Sequence, residues 1–395
     1  MRKLVLFGAG KIGRSFIGQL FSRSGYKVVF VDINEHLVRE LNRRQQYNVI
    51  IKAEKEEKLV VSNVRAVNAY DKKAVAKEIT DTPVIAVSVG LRGLPDLFPV
   101  LAEGLRARYA SGNDAPVDII LAENMRNAGS YFRRELGLLL PDYFPLDDLV
   151  GLVETSIGKM VPIMLKKDIE EDTLQVFAEP YNTLIVDRNA FRGPVPEVEG
   201  LEPKENIRAW NDRKLFIHNL GHAAVAYYGN WYDRSLHYTW EALEVPEIHE
   251  FAKAVMMQAS DILMATWPGE FSAGSLTGHI DDLLHRFRNK ALGDTIYRVG
   301  CDLFRKLGPD DRIAGPIKMA LTLKKPYDLI LKVLLLACQF RAADENGNMM
   351  AEDIEFIRLY KKGLRAILTR VCGFDEKSDR ELIDLAEEFD RSLLS

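Results

Sequence analysis

The sequence predicts an α/β fold for an N-terminal domain, residues 1–192, followed by a mostly α-helical C-terminal domain, residues 193–395. In the first half, short apolar runs of strand length alternate with helical patterns. A segment rich in proline and glycine, Gly193–Pro203, marks the boundary, and beyond Glu205 the pattern is almost wholly helical. A chain of 395 residues also exceeds one ordinary hydrophobic core, so two domains are expected.

The start of the chain carries a glycine-rich motif in a specific context. A short buried strand, Leu4–Phe7, runs into the turn Gly8–Gly13, GAGKIG. A helix over about Lys11–Ser24 comes next, and a second strand, Lys27–Val31, ends at Asp32. This order of elements is typical of the Rossmann-type dinucleotide-binding fold. The alternative is a glycine turn that happens to lie beside a surface aspartate.

Each glycine of the motif has a predicted role, and Asp32 is predicted to discriminate between NAD and NADP. Gly8 permits the tight turn, Gly10 lets the backbone approach a pyrophosphate, and Gly13 allows the helix to pack closely on the strand. The helix N-terminus attracts the phosphates. Asp32 would accept hydrogen bonds from ribose hydroxyls and repel a 2′-phosphate, and no arginine follows it. The motif therefore predicts NAD rather than NADP.

Two later strands also end in candidate site residues. Val84–Val87 runs into Ser88-Val89-Gly90, whose small residues suit a cofactor contact at the carboxyl edge of a sheet. Val117–Leu121 runs into Glu123-Asn124, and Asn124 could meet the substrate there, cap the following helix, or do both. The predicted cofactor-binding residues are Gly8, Ala9, Gly10, Lys11, Ile12, Gly13, Asp32, Ser88 and Val89.

Further segments complete the prediction of strands and helices. A charged turn, KAEKEEK, separates two runs that form an inserted hairpin, and three extended segments finish the main sheet. The hairpin strands are Val49–Ile51 and Leu59–Val61, and the sheet segments are Leu149–Val153, Leu174–Ala178 and Thr183–Val186. The later helices are predicted over Val245–Ala265, His279–Phe287, Asp294–Leu307 and about Leu329–Cys338, before two terminal helices.

The stretch Trp210–Gly229 combines a helical apolar pattern with residues suited to proton transfer, Lys214, Asn219 and His222. At about 100° per residue, Asn219 lies about 140° around the helix from Lys214 and His222 about 80°, so all three fit on one side. A lysine acts as a base only if its pKa falls from about 10.4 to about 7–8. The pattern predicts Lys214 as the proton carrier, with Asn219 and His222 as its supporting polar groups.

This helix has two candidate starting residues, and its polar residues have two other interpretations. Asn211 or Asp212 is a candidate N-cap, which would place Lys214 near the positive end of the helix. An amphipathic helix with a snorkelling lysine and a satisfied histidine is one alternative. His218 and His222 have the spacing of a metal pair, but the glutamate of an HExxH motif is absent and no cysteine lies nearby. We therefore predict no metal.

Composition excludes several other classes of protein. The 53 basic and 57 acidic residues give a net charge of −4, which indicates neither a nucleic-acid partner nor a membrane surface. The three cysteines, Cys301, Cys338 and Cys372, are odd in number and far apart, as in a reduced cytoplasmic protein. The first apolar run, Leu4–Phe7, is too short for a signal peptide, and no run approaches about 18 residues.

Several of these runs together carry a resemblance. The segments Gly8–Gly18 (GAGKIGRSFIG), Pro180–Arg188 (PYNTLIVDR), Lys214–His222 (KLFIHNLGH) and Arg286–Leu307 resemble the polyol-specific long-chain dehydrogenases, and the likeness spans the whole chain. The KxxxxNxxH spacing is more specific than the glycine motif. The resemblance implies a zinc-independent enzyme, commonly a monomer, that interconverts mannitol 1-phosphate and fructose 6-phosphate with NAD.

The resemblance also implies a role for individual residues. Lys214 matches the catalytic base of the family, Asn219 and His222 match its supporting groups, and Asn124 with Asn219 matches the pair that holds the substrate oxygen. A phosphorylated substrate needs a cationic partner. The alternative interpretation of the candidate cations is that they form a solvated basic face of a helix. The candidate cations are Arg286, Arg288, Lys290 and Arg298.

Two other functions stay open on the sequence. One is a uronate reductase or a dehydrogenase of non-phosphorylated polyols from the same family. The other is an NAD-binding sensor without catalysis, against which the intact set Lys214, Asn219 and His222 argues.

Overall fold

The structure, a computed structural model, describes residues 2–394 and divides into two compact units, Met1–Asn211 and Asp212–Ser395. The first unit contains all the strands of the described residues, and the second is built from helices. The predicted α/β fold followed by a mostly helical part is therefore confirmed.

The strands of the first unit belong to one large and one small sheet. The strands are β1 (Lys3–Phe7), β2 (Lys27–Asp32), β3 (Gln46–Ile51), β4 (Glu57–Ser62), β5 (Val64–Asn68), β6 (Val84–Val87), β7 (Val117–Leu121), β8 (Val150–Ile157), β9 (Val176–Ala178), β10 (Leu184–Asp187) and β11 (Leu201–Lys204). Within residues 2–394, eight of them form the large sheet in the order β11-β10-β8-β7-β6-β1-β2-β5. Its neighbours pair in parallel except β8 and β10, which are antiparallel.

The large sheet is covered on both faces, which explains why its central strands are continuous apolar runs. In β1, Leu4 and Leu6 belong to one hydrophobic core, whereas Val5 and Phe7 belong to another. Because side chains alternate along a strand, these two cores lie on opposite faces of the sheet. Because β1, β2, β6 and β7 are paired in parallel, their carboxyl ends share one edge of the sheet.

The small sheet has the order β4-β3-β9. The predicted hairpin is present, with β3 and β4 antiparallel. The prediction that Leu174–Ala178 finishes the main sheet is wrong, because its strand, β9, pairs in parallel with β3 instead, through Val49 opposite Val176. An apolar run shows that a strand is buried, but it does not encode the partner strand.

Two strands of the large sheet were not predicted. The edge strand β5 contains Arg65, whose side chain turns outward to an ion pair with Glu78. The other edge strand, β11, has the sequence LEPK and pairs with β10. Its position, after residue 193, shows that the sheet continues past the predicted domain boundary, and the compact first unit ends at Asn211.

Helices connect the strands and build the second unit. In the first unit they are α1 (Gln19–Arg23), α2 (Glu35–Arg44), α3 (Lys72–Thr80), α4 (Leu94–Ala110), α5 (Ala128–Leu139), α6 (Leu146–Leu149) and α7 (Lys166–Glu171), followed by α8 (Ile207–Arg213). In the second unit they are α9 (Leu220–Tyr232), α10 (Thr239–Glu244), α11 (Pro246–Thr266), α12 (Ala273–Phe287), α13 (Ile296–Gly300), α14 (Leu303–Lys306), α15 (Ala314–Leu323), α16 (Asp328–Cys338), α17 (Ala351–Tyr360), α18 (Leu364–Arg370) and α19 (Arg380–Leu394).

Two turns are π-helical, Gly13–Gly18 and Lys214–Asn219, and short 3₁₀ turns span Leu91–Gly93, Arg188–Ala190 and Lys290–Leu292. Both π-helical turns fall within the candidate site segments. Single π-helical turns inside α-helices are frequently found at functional sites.

Helix α9 forms the centre of the second unit, since it is almost completely buried and packs against α11, α13 and α16. The helix predicted over Asp294–Leu307 is interrupted. Asp302 has a left-handed backbone, and the Asp353 carboxylate accepts hydrogen bonds from the backbone of Asp302 and Leu303, which starts α14 afresh.

Within the described residues, no helix has both the length and the apolar character that crossing a membrane requires. All three cysteines are free; Cys338 and Cys372 are buried and Cys301 is partly exposed.

Candidate active site

A cavity of about 340 Å³ opens at the carboxyl edge of the large sheet in the first unit. Its lining includes five of the nine predicted cofactor-binding residues, Gly8, Gly10, Asp32, Ser88 and Val89. Sequence reasoning missed the remaining wall, whose residues have no motif of their own. These residues are Phe7, Val31, Ile33, Ala69, Gly93, Asp96, Leu97 and Val100.

The glycine turn has the geometry that the motif predicts. Gly8 has φ +93°, and a Cβ there would overlap the Ser88 carbonyl, so only glycine fits. A Cβ on Gly13 would overlap the Gly8 carbonyl oxygen, which keeps the helix close to the strand. Gly10 instead faces open space, with nothing within 4 Å of a Cβ position. The exposed backbone at Gly10 can therefore be approached by a pyrophosphate, and the residues present fit a dinucleotide.

Asp32 is already held in place by backbone donors. Its Oδ2 accepts from Ala9 N at 2.7 Å, and its Oδ1 accepts from Asn34 N at 2.8 Å. Each carboxylate oxygen has two acceptor sites, so capacity remains for ribose hydroxyls. This carboxylate at the cavity wall can provide the predicted discrimination against a 2′-phosphate.

Arg14 is a residue that sequence reasoning missed. Its side chain is buried in the π-helical turn Gly13–Gly18. The guanidinium donates to the Ala9 carbonyl at 2.7 Å and to the Leu174 carbonyl at 2.6 Å. It thereby ties the glycine turn to the segment that leads into β9. The charge of Arg14 within the glycine motif was the one feature of the sequence that could have indicated its role. Its contact with Leu174 could not be predicted, because that residue is 160 positions away.

Asn124 lies three residues beyond β7, in the segment that leads to the next helix. Helix α5 begins at Ala128, and Gly129 N donates to Glu154 Oε1 at 3.0 Å. Glu154 thus satisfies one backbone N–H of the first turn of α5, and the capping role of Asn124 stays a prediction. The substrate-contacting role of Asn124 stays a prediction.

The segment with Lys214 begins earlier than predicted. Helical structure runs without a break over residues 207–232, and Asn206 Oδ1 accepts from Ala209 N at 3.4 Å. The predicted cap Asp212 is buried and accepts from Trp267 Nε1 at 3.1 Å. Lys214 is therefore not near a helix start, and the helix dipole does not act on it as predicted.

The π-helical turn Lys214–Asn219 changes the predicted geometry of the site helix. Hydrogen bonds in a π-helix join residues five apart, so Lys214 and Asn219 lie closer together around the axis than an α-helix would place them. The separation of about 140° expected from an α-helix does not apply. Lys214, Asn219 and His222 are all partly exposed, although residues between them, such as Ile217, are buried.

Lys214 has the electrostatic setting of a proton carrier. Burial, followed by the nearby Arg312 guanidinium, lowers the pKa of Lys214 to about 8, with Asp311 opposing and Arg305 adding to the effect. The sequence-based prediction of a depressed pKa agrees in direction, and burial, one of the causes it depends on, is the largest one. The positive end of a helix was also expected to contribute, whereas the charges that act on Lys214 belong to Arg305, Asp311 and Arg312, more than 90 residues further along the chain.

The histidines of the site helix are neutral and packed against an aromatic ring. His222 stacks on Phe287, with ring centroids 4.4 Å apart, and His218 lies 5.5 Å from the same ring. Burial lowers the pKa of His218 well below its usual range. Burial and surrounding cations, Arg298 first, lower the pKa of His222 to about 3, although Asp294 Oδ2 lies 3.5 Å from its Nε2.

Two of the four predicted phosphate-binding cations lie beside these imidazoles. Arg298 forms an ion pair with Asp294, which also lies next to His222, and half of the Arg298 side chain is exposed. Arg286 is buried, lies 3.5 Å from Asp282, and contributes to the lowered pKa of His218 and His222.

The other two cations have partners elsewhere. Arg288 donates to the Leu243 carbonyl at 3.1 Å. Lys290 is exposed, lies 3.3 Å from Glu244 and sits 4.0 Å from the centroid of the Trp240 ring.

Three further cations near the site were not predicted from the sequence. Besides Arg305 and Arg312, Lys306 is buried, donates to the Val299 carbonyl at 2.6 Å and has its pKa lowered to about 8, chiefly by burial. Among the described residues, no group of three or more histidine, cysteine or acidic side chains could hold a metal ion.

Comparison with known proteins covers both units. Residues 2–200 match the mannitol dehydrogenase Rossmann domain, and residues 206–372 match the mannitol dehydrogenase C-terminal domain. The mannitol-1-phosphate 5-dehydrogenase of Bacillus pumilus is 32% identical over 385 residues, covering 95% of this chain and 97% of the relative. That of Streptococcus mutans is 29% identical over 398 residues, covering 99% and 100%.

Solved structures show the same fold at low sequence identity. A D-sorbitol dehydrogenase in substrate-free form superposes with a TM-score of 0.81 at 18% identity, over 99% of this chain and 93% of that one. The mannitol 2-dehydrogenase of Pseudomonas fluorescens, solved with NAD and D-mannitol, gives 0.77 at 16% identity, over 100% and 92%.

Proposed function

This chain belongs to the mannitol dehydrogenase family, and we propose that it interconverts D-mannitol 1-phosphate and D-fructose 6-phosphate. It is an NAD-dependent polyol oxidoreductase. The observation that carries the mechanism is the partly exposed Lys214, with a pKa of about 8, on one helical segment with Asn219 and His222. The relatives that match nearly the whole chain favour the phosphorylated substrate.

In the oxidation, neutral Lys214 takes the proton from the C5 hydroxyl of the substrate. NAD bound in the cavity would supply the acceptor for the hydride that leaves that carbon. Because the pKa of Lys214 is lowered to about 8, a substantial fraction of the amine is neutral near that pH. In the reduction, the ammonium form returns the proton to the carbonyl oxygen.

The other polar groups hold the reacting oxygen. We assign this role to Asn219 and Asn124, whose amide N–H groups can donate to an alkoxide-like oxygen. An oriented donor of this kind can contribute about 2.7–4 kcal/mol to the transition state. His222 is kept neutral, so one of its ring nitrogens can accept a hydrogen bond from a substrate hydroxyl.

For the phosphate we assign Arg286 and Arg298 from the four predicted cations. Both lie beside the imidazoles of the site helix, and half of the Arg298 side chain is open to solvent. Arg288 and Lys290 bind the Leu243 carbonyl and Glu244 instead. We also propose that the chemistry needs no metal, and that the enzyme acts as a cytoplasmic monomer without a nucleic-acid partner.

The substrate assignment predicts a large preference for the phosphorylated sugar. Two charge-assisted partners at about 1.5–3 kcal/mol each correspond to at least about 10²-fold in kcat/KM for fructose 6-phosphate over fructose. Arg298→Ala should shrink this ratio about tenfold, whereas the control Lys290→Ala should leave it nearly unchanged. The measurement is NADH oxidation with fructose 6-phosphate, fructose, fructuronate and tagaturonate.

Each other outcome of this panel favours a different function. Equal efficiency with fructose and its phosphate would mean a dehydrogenase of non-phosphorylated polyols. Preferential turnover of fructuronate or tagaturonate would mean a uronate reductase. Tight NADH binding without turnover of any of the four would mean a sensor.

The position of Asp32 predicts the cofactor preference. The unmodified enzyme should strongly prefer NADH to NADPH, because a carboxylate held by Ala9 and Asn34 repels a 2′-phosphate. Asp32→Ala should shift the ratio of kcat/KM values toward NADPH by about tenfold or more. Comparable kcat/KM for the two cofactors before mutation would contradict this role of Asp32.

A further inference from the structure

Glu123, the residue before Asn124, is a buried carboxylate with an unusual set of partners. It follows β7 and is 7% exposed. Its Oε1 accepts from Gly90 N at 2.9 Å, and its carboxylate also accepts from the backbone of Val89. The carboxylate thus connects the carboxyl ends of two neighbouring strands, β6 and β7.

The segment that Glu123 holds belongs to the wall of the dinucleotide cavity. Ser88 and Val89 line that cavity, and Gly90 turns the chain with φ +78°. Gly90 is the N-cap of the turn Leu91–Gly93, and as a glycine it has no side chain that could accept a hydrogen bond there. Glu123 therefore accepts hydrogen bonds from the backbone N–H groups of Val89 and Gly90, where the chain leaves the sheet. Without this acceptor, the glycine turn would be free to adopt other conformations.

The chain on the other side of Glu123 is also anchored. Asn124 is its direct neighbour, and the segment that follows ends at α5, where Glu154 Oε1 accepts from Gly129 N. Two carboxylates consequently hold the two ends of the short segment that carries Asn124. A displacement of Glu123 would move both the wall at Val89 and the backbone of Asn124.

We propose that Glu123 is a positioning residue that fixes the cavity wall Ser88–Gly90 and Asn124 relative to each other. This inference rests on the proposed function, because it takes the cavity as the NAD site and Asn124 as a holder of the substrate oxygen. Glu123 itself is not among the residues that line the cavity. Its effect is to fix the backbone of Ser88–Gly90 in the conformation that binds the cofactor. It also fixes Asn124 in the position that contacts the substrate, before either molecule binds.

Asp118 provides a matched control on the same strand. It is a buried carboxylate near the opposite end of β7, and it accepts backbone hydrogen bonds from Arg192 at 2.7 Å and Gly193 at 3.1 Å. Its chemistry resembles that of Glu123, but its partners do not line the cavity. Loss of Asp118 should affect stability alone.

The test compares Glu123→Ala, Glu123→Gln and Asp118→Asn in NAD affinity without substrate, in kcat and KM for fructose 6-phosphate, and in Tm. Glu123→Ala should raise the Kd for NAD and lower kcat, each about tenfold or more, because two backbone donors lose a charged acceptor. Glu123→Gln keeps one acceptor oxygen and should recover most of both losses. Asp118→Asn should lower Tm with Kd and kcat nearly unchanged.

Other results would overturn the proposal. A lower Tm for Glu123→Ala with normal Kd and kcat would reduce Glu123 to a structural role. A raised Kd with normal kcat would refute the coupling to Asn124. If Glu123→Ala does not fold, Glu123→Asp, whose shorter carboxylate cannot reach Gly90, decides by the same readouts. The Kd, measured without any sugar, separates this proposal from the substrate assignment, and Asn124→Ala tests the role of that amide directly.

Discussion

Replacing Lys214 by alanine is expected to lower kcat for mannitol 1-phosphate oxidation by at least about 10²–10⁴-fold, the usual contribution of a general acid–base group. The amine is the group on the site helix whose pKa, about 8, matches proton transfer near neutral pH. The imidazoles of His218 and His222 have pKa values too far below that range. Steady-state kinetics with saturating NAD measure the loss.

The pH dependence gives a second readout with a definite sign. Oxidation needs the neutral amine, so kcat should rise as pH increases through about 8, and reduction should fall over the same interval. Lys306 has the same lowered pKa but donates to the Val299 carbonyl. Lys306→Met should therefore keep the ionisation near pH 8 in the rate profile, whereas Lys214→Ala should lose it.

Binding measurements separate a chemical defect from a folding defect. The affinity of Lys214→Ala for NAD should hardly change, because the cavity is lined by residues of the first unit. Small amines added to the medium should restore part of the rate, since the truncated side chain leaves space for one. Near-normal kcat with an unchanged pH profile would contradict the assignment and leave the proton carrier unidentified.

The parts of the fold that the sequence could predict are those set by local chemistry. Strands β6 and β7 were predicted to the residue, because strands buried on both faces are continuous apolar runs. The glycine turn was equally readable, since Gly8 and Gly13 leave no room for a Cβ. In both cases a few adjacent residues contain the whole physical requirement.

The parts that could not be predicted depend on remote partners. The strand β9 was recognised, but its pairing with β3 is decided by contacts distant in sequence. The π-helical turn at Lys214 leaves the apolar pattern looking helical, so a spacing based on 3.6 residues per turn gave the wrong angle to Asn219. Arg312 was missed because nothing near it in the chain indicates that it lies beside Lys214.

Acidification is expected to destabilise the second unit through its buried histidines. Burial lowers the pKa of His218 well below its usual range, and that of His222 to about 3, while an unfolded chain restores about 6.5. Between these values the unfolded state binds protons that the folded state does not. Stability is therefore complete above about pH 6.5 and declines as pH falls below it.

The limiting slope is about 1.4 kcal/mol per pH unit for each histidine, and the two together lose about 3 kcal/mol between pH 6.5 and 5, because an unfolded histidine is already half protonated at pH 6.5. Asp353, whose pKa burial raises, acts in the opposite direction and reduces the net slope. A comparison of variants removes such shared contributions. Urea unfolding at pH 8, 6.5 and 5 should show that the free energy of unfolding declines less steeply for His218→Gln than for the unmodified chain. The difference in slope should be about 1.4 kcal/mol per pH unit, which corresponds to one proton. Parallel declines would mean that His218 is protonated in the folded state, and hence that the ring against Phe287 is more open to water than its burial indicates.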